Sequence, residues 1–217
     1  EDNVRWYYHP DSRSFEGLRL THQPSPWIAD YGAMLFTPQN KRLGGFSGEE
    51  RWSGFRPEDA ILDPHYLRFR LLRSRCDLEL APTERGAVMK VTFDEDGDNY
   101  LSVTPVKGNC SYRYDEKANI LYASTDMHMS GEAVKFKNYI VLKFPEGSVD
   151  VKKILVSNDD KFRNGTKIRG KKAGIHICLK NKVTEIKLAI SYVSCEQAVY
   201  NLKSELEGRD FASLKAE

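Results

Sequence analysis

The chain has no apolar run approaching the roughly 20 residues that a membrane-spanning helix needs. It also lacks an excess of either charge: 33 Lys and Arg face 31 Asp and Glu, a formal charge of +2. So even a balance gives no overall field to hold the chain on nucleic acid or on an anionic membrane surface, and neither partner is expected. Cysteine is scarce, at four residues. Cys76, Cys110, Cys178 and Cys195 form no C-x-x-C pair and have no matching histidine spacing, which argues against zinc. Cys178 and Cys195 fall in strand-like apolar patterns, where a thiol is simply buried. A disulfide between any two stays open, but a chain of this length does not need one. No heptad, internal repeat or low-complexity tract occurs. The chain opens on Glu1 rather than on methionine, as a mature form or a fragment does.

What is present is a core. Apolar residues make up 40% and aromatics 11% of the 217 residues, enough for one large β domain or two small ones. The strand signal dominates. Ala87–Phe93 alternates apolar and polar, Asp94-Glu95-Asp96-Gly97-Asp98-Asn99 reads as a tight turn, and Tyr100–Pro105 follows. Further strands are expected at Cys110–Tyr114, Ile120–Ser124, Phe136–Phe144, Lys153–Ser157, Gly174–Leu179 and Glu185–Tyr192, with two more at Phe69–Arg73 and Cys76–Leu80. Many short strands between turn signals predict a mainly β fold, an antiparallel β-sandwich over residues 1–193. The first third is less regular, broken by prolines at 24, 26, 38, 57 and 64 and by Gly44-Gly45.

The period changes at the end. Ala198, Leu202 and Leu206 lie four apart, the apolar face of a helix. Ser194 is placed to cap it, with Gln197 completing a capping box, and Gly208 ends it. A second helix begins after Asp210, so residues 194–217 read as a short helical linker with more protein expected to follow.

The richest stretch for function is Gly17–Gly32. It carries His22, Gln23, Ser25, Trp27 and Asp30, and Pro24 and Pro26 forbid a helix there. A stiff loop bearing a flat aromatic beside hydrogen-bonding groups suits a sugar: the ring covers the C–H face of a pyranose and the polar groups read its hydroxyls. The competing reading is a structural loop whose Trp27 plugs the core. On these residues alone both stand.

Thr21-His22-Gln23-Pro24-Ser25-Pro26-Trp27-Ile28 followed by Asp30-Tyr31-Gly32 resembles the signature near the start of glycoside hydrolase family 92 proteins. At the other end, Ala189-Ile190-Ser191-Tyr192-Val193-Ser194, Glu196-Gln197-Ala198, Asn201-Leu202, Glu205 and Gly208-Arg209-Asp210-Phe211 are similar to that family's join between domains. The family comprises calcium-dependent exo-α-mannosidases, many acting on α-1,2 linkages by inversion, with the catalytic acid and base in a later helical-barrel domain. The resemblance implies an N-terminal domain that forms one wall of an α-mannoside site and has that catalytic domain as its partner. Trp27 would contact the sugar beside the cleaved mannose, with His22, Gln23 and Ser25 as further contacts and Asp30 orienting His22 or Trp27. No catalytic residue carries over. Calcium would belong to the full-length enzyme, with no metal expected on this chain alone. The family's upstream Gly- and Asn-containing stretch has no counterpart here. The alternative is a stand-alone carbohydrate-binding module without a catalytic role, or a sandwich whose aromatics are all core.

Other motifs reduce to structure. Asp94–Asp98 looks calcium-like, but Asn99 stands where an EF-hand needs Gly and Pro105 where it needs a carboxylate. His128 between Met127 and Met129 has no second cluster to make a copper site. Lys167, Arg169, Lys171 and Lys172 read as a solvated hairpin tip, and Trp52 with Phe55 as core aromatics.

Overall fold

A computed structural model describes residues 11–19, 34–46, 48–106, 108–126 and 137–217. The first third supplies β1 (Ser14–Phe15), β2 (Leu18–Arg19), β3 (Met34–Asn40), helix α1 (Gly48–Arg51), β4 (Ser53–Gly54) and β5 (Ile61–Asp63). The alternating region supplies β6 (Tyr66–Leu71), β7 (Cys76–Pro82), β8 (Gly86–Phe93), β9 (Asn99–Pro105), β10 (Cys110–Asp115) and β11 (Ile120–Thr125). Then come β12 (Asn138–Lys143), β13 (Leu155–Asn158), β14 (Lys161–Asn164), β15 (Lys167–Gly170), β16 (Ala173–Leu179) and β17 (Val183–Ser191). Helices α2 (Cys195–Leu206) and α3 (Phe211–Lys215) close the chain.

Among the described residues the strands form two large antiparallel sheets. Nine strands run in the order β15-β10-β11-β12-β17-β8-β7-β6-β5, and six in the order β14-β13-β16-β9-β3-β2. The inward residues of both sheets meet in one core: Phe36, Leu101, Val103, Ile175 and Ile177 face Leu71, Leu78, Met89, Leu121, Ile140, Leu142 and Leu188. Each fully buried aliphatic contributes about 1.5–3 kcal/mol. The predicted antiparallel sandwich is therefore the fold.

Both sheets are also covered outside. Ala198, Leu202 and Leu206 of α2 and Phe211 and Leu214 of α3 pack on Tyr66, Ala81, Val88, Val141 and Ala189 of the nine-stranded sheet. Ser194 caps α2 by accepting from the Gln197 amide at 3.1 Å. The Gln197 side chain does not return the bond; it donates to Asn201 Oδ1 at 2.9 Å, so the predicted capping box is a single cap. Asp210 makes the reciprocal box instead, with Ser213, at the start of α3.

The six-stranded sheet is roofed by the segment around α1. Every residue of β9 and β16 is buried, as are Met34 to Gln39 of β3. Two covered faces erase the alternation that marks a half-exposed strand; β9 and β16 stay legible between their turns, whereas Pro38 makes β3 read as a break. Pro38 is tolerated because β2 pairs only with Leu35 and Phe36, leaving β3 an edge strand beyond them. Gly17 is required where the chain crosses β3: a Cβ there would sit 2.6 Å from Thr37 Oγ1.

Three further expectations are corrected. Lys167 and Arg169 are not a hairpin tip but lie on β15, which pairs with β10 at the edge of the nine-stranded sheet. Trp52 is 40% exposed and not core, because α1 ends at Arg51 and turns it outward; Phe55 is buried, edge-on to Phe69. The cysteines are free thiols as expected, but Cys195 opens α2 instead of lying in a strand and is only partly buried.

Candidate functional site

The five predicted site residues, His22, Gln23, Ser25, Trp27 and Asp30, lie outside the described residues, as do His128 and its two methionines. The structure places the roots of their segments. Residues 20–33 connect β2 to β3, and the pairing of Arg19 with Leu35 brings the two roots side by side. Residues 127–136 connect β11 to β12, whose last described pair is Thr125 with Asn138.

These roots share one end of the sandwich. Met34 pairs with Pro105 at the end of β9, five residues before β10 opens at Cys110. Cys110 pairs with Thr125, Thr125 with Asn138, and the next residue, Tyr139, with Ser191 at the end of β17. The antiparallel register thus roots both segments on the end where β17 hands over to α2.

Along β3 from the 20–33 roots runs a buried polar layer that the sequence reading missed. It occupies the roofed face of the six-stranded sheet. Gln39 Nε2 donates to Ser102 Oγ at 2.8 Å, Ser102 Oγ is 2.7 Å from His176 Nδ1, and His176 Nε2 is 3.0 Å from Ser157 Oγ. The Gly44 amide closes the chain by donating to Gln39 Oε1 at 2.7 Å. Arg51, 3% exposed, donates to Thr104 Oγ1 and to the Phe46 carbonyl. Burial pulls its guanidinium below the ordinary value, opposed by the charge of Glu16. Burial and the Arg51 charge push His176 down to about 3, so its ring is neutral near pH 7. A serine–histidine contact suggests a nucleophile. Here both residues are sealed from solvent and both ring nitrogens face serine hydroxyls, so the layer braces the sheet. The only trace in sequence is a polar residue at 102 and 176 within apolar strands.

Among the described residues no group of three or more His, Cys, Asp and Glu side chains converges to hold a metal ion. The calcium-like turn after β8 is occupied by cations of the protein itself. Arg70 takes Asp94 at 2.6 Å, Lys41 and Arg75 take Glu95 at 2.8 Å, and Lys153 takes Asp98 at 2.8 Å.

A family model described as the glycosyl hydrolase family 92 N-terminal domain matches residues 1–191. Among solved structures, the chain is similar to the family 92 inverting mannosidase BT2199 of Bacteroides thetaiotaomicron, at 26% identity and a TM-score of 0.87, covering 97% of this chain and 28% of that one. It is also similar in fold to the α-mannosidase BT3965 of the same species, at 19% identity and a TM-score of 0.82, covering 96% of this chain and 30% of that one. The chain thus spans under a third of the length of these relatives. No curated protein matches it. The family model reaches across most of the sandwich described above, and on that ground the chain belongs to glycosyl hydrolase family 92, carrying its N-terminal domain.

Proposed function

We propose that this chain is the N-terminal part of an α-mannosidase and that residues 20–33 form one wall of its mannoside site. In this reading residues 1–193 are the sandwich domain and 194–217 the helical connection to a catalytic domain, its partner in the same polypeptide. Membership of the family supports it, as does the match to a mannosidase of which the chain spans only 28%. The observation that carries the site assignment is the Arg19–Leu35 pairing, which roots the proline-stiffened segment on one end of the sandwich. A loop held at both roots loses little conformational entropy when a sugar ring stacks on it.

Trp27 covers the sugar beside the cleaved mannose, His22, Gln23 and Ser25 bond its hydroxyls, and Asp30 steadies His22 or Trp27. α-1,2-Mannosides are the favoured substrates. Hydrolysis needs a paired acid and base, and these, with calcium, belong to the catalytic part. The test is Trp27→Ala in the full-length enzyme. A ring–sugar contact of about 1–3 kcal/mol predicts a loss of kcat/KM of roughly 10- to 100-fold at nearly unchanged melting temperature. Normal kinetics with a fall of several degrees in Tm would instead make Trp27 a core residue and end the assignment.

A further inference from the structure

At the far end of β3 from the 20–33 roots, about 20 Å along the strand, lies a cavity of about 250 Å³. Its lining is Gln39, Asn40, Lys41, Arg42, Arg51, Arg73, Ser74 and Arg75. Five of the eight are cationic and none is acidic, in a chain whose formal charge is only +2. We propose that this cavity binds a tetrahedral oxyanion, phosphate or sulfate, either free or carried as an ester on a sugar.

Lys41, Arg42, Arg73 and Arg75 are exposed at the mouth, and three of them are tethered. Lys41 takes Glu95 Oε2 and Arg75 takes Glu95 Oε1, each at 2.8 Å. Arg73 is tethered by the carbonyls of Trp52 at 3.2 Å and Glu49 at 3.5 Å. Ser74 is fixed by donating to the Pro38 carbonyl at 2.7 Å. Glu95 and Asp94 pair with Lys41 and Arg75, and Glu16 acts on the buried Arg51, so two carboxylates face the four exposed cations at the mouth. Arg42 makes no ion pair among the described residues. Guanidinium forks match the paired oxygens of a phosphate, and each such bond is charge-assisted.

The backbone gives a second, independent sign. Lys41 and Arg75 stand at φ 53° and 49°, two of the four non-glycine residues in the left-handed region among the described residues. Glycine or asparagine would occupy those positions with less strain, by about 1 kcal/mol. Cationic side chains are kept at two strained corners that face one cavity, the pattern of a ligand clamp. The sequence could not show this, because positions 41 and 42, 51, and 73 and 75 come from three separate segments that meet only when β3, α1 and the β6–β7 turn are brought together.

The site is independent of the mannoside reading, and its test uses the whole chain. Inorganic phosphate, sulfate and a hexose 6-phosphate are titrated at matched low ionic strength, following amide NMR shifts and heats of binding, with unphosphorylated mannose as the neutral control. Saturable binding is expected with Kd around 1 mM for the inorganic ions, moving the amides of residues 39–42 and 73–75. Arg42→Gln and Arg73→Gln should each weaken it about tenfold, the worth of one charged hydrogen bond. Tighter binding of the hexose phosphate identifies an ester as the ligand; equal binding identifies the free ion. Absence of saturation, equal binding of neutral mannose, or affinities unchanged in both well-folded variants would each overturn the proposal.

Discussion

Ser102 and His176 share a 2.7 Å contact in which neither residue exposes any surface. It joins β9 to β16, strands that pair at this position. The ring is neutral because protonation would place a charge where no solvent reaches and beside Arg51. The folded state holds the pKa near 3, against about 6.5 in the unfolded chain. Between those values the unfolded chain binds a proton that the folded one refuses, so this contribution is complete above about pH 6.5 and is lost as pH falls towards 3. Urea unfolding of the wild type should therefore lose about 1 kcal/mol per pH unit between pH 6.5 and 5, before most carboxylates titrate. His176→Gln should flatten that slope while lowering stability at pH 7. An unchanged slope in the variant would mean that the ring is not the source.

The extent to which the sequence discloses this molecule follows from which faces are covered. Strands β7, β8 and β11 keep one half-exposed face, so Ala87–Phe93 and its neighbours show their alternation openly. β3 and β16 are covered on both faces, so Leu35, Thr37, Gln39 and His176 look like loop or solvent-face residues until the roof over them is known. β14 and β15 are short and largely exposed, and they belong to different sheets, which no local signal announces. The family signature at 21–32 pointed to the family but not to the position of its side chains; the structure adds the roots of that segment. The basic cavity had no local trace at all.

The roof over the six-stranded sheet depends on a close approach at Gly44. A Cβ there would run into the Glu50 carbonyl and meet Arg51 Cγ at 2.9 Å. The same residue's amide donates to Gln39 Oε1 in the buried layer. Gly44→Ala should cost about 1–3 kcal/mol, the range for forcing extra volume into a packed site. It should also shift the NMR signals of His176 through Gln39 and Ser102. A variant of wild-type stability with an undisturbed His176 would show that the roof is looser than this packing requires.

Ser194 offers a smaller and cleaner effect. Its hydroxyl satisfies the Gln197 amide, one of four orphan donors at the start of α2. Ser194→Ala should lower stability by about 1 kcal/mol. Gln197→Ala should cost less, because its side chain bonds Asn201 and not the cap. The order of the two in thermal unfolding tests whether the cap is single or reciprocal. Equal losses would favour a reciprocal box.

Trp52 and Phe55 lie three residues apart and were expected to behave alike, yet they sit on opposite sides of the surface. Trp52 follows the last residue of α1 and keeps 40% of its area in solvent. Phe55 is 4% exposed, and its ring stands edge-on to Phe69 with centroids 5.2 Å apart, while Phe15 closes the cluster at 5.0 Å from the same ring. Removing Phe55 leaves a cavity that the ring cluster cannot collapse to fill, at a cost of about 3–5 kcal/mol. Removing Trp52 strips apolar area that is already partly wet, and a surface change of that kind costs about 0.5–1 kcal/mol. At roughly 2–4 °C per kcal/mol for a chain of this size, Phe55→Ala should lower Tm by about 10 °C and Trp52→Ala by no more than a few degrees. The outcome that would refute this packing is the reverse order. A Tm loss at Trp52 as large as at Phe55 would place the indole in the core, as the sequence pattern first suggested.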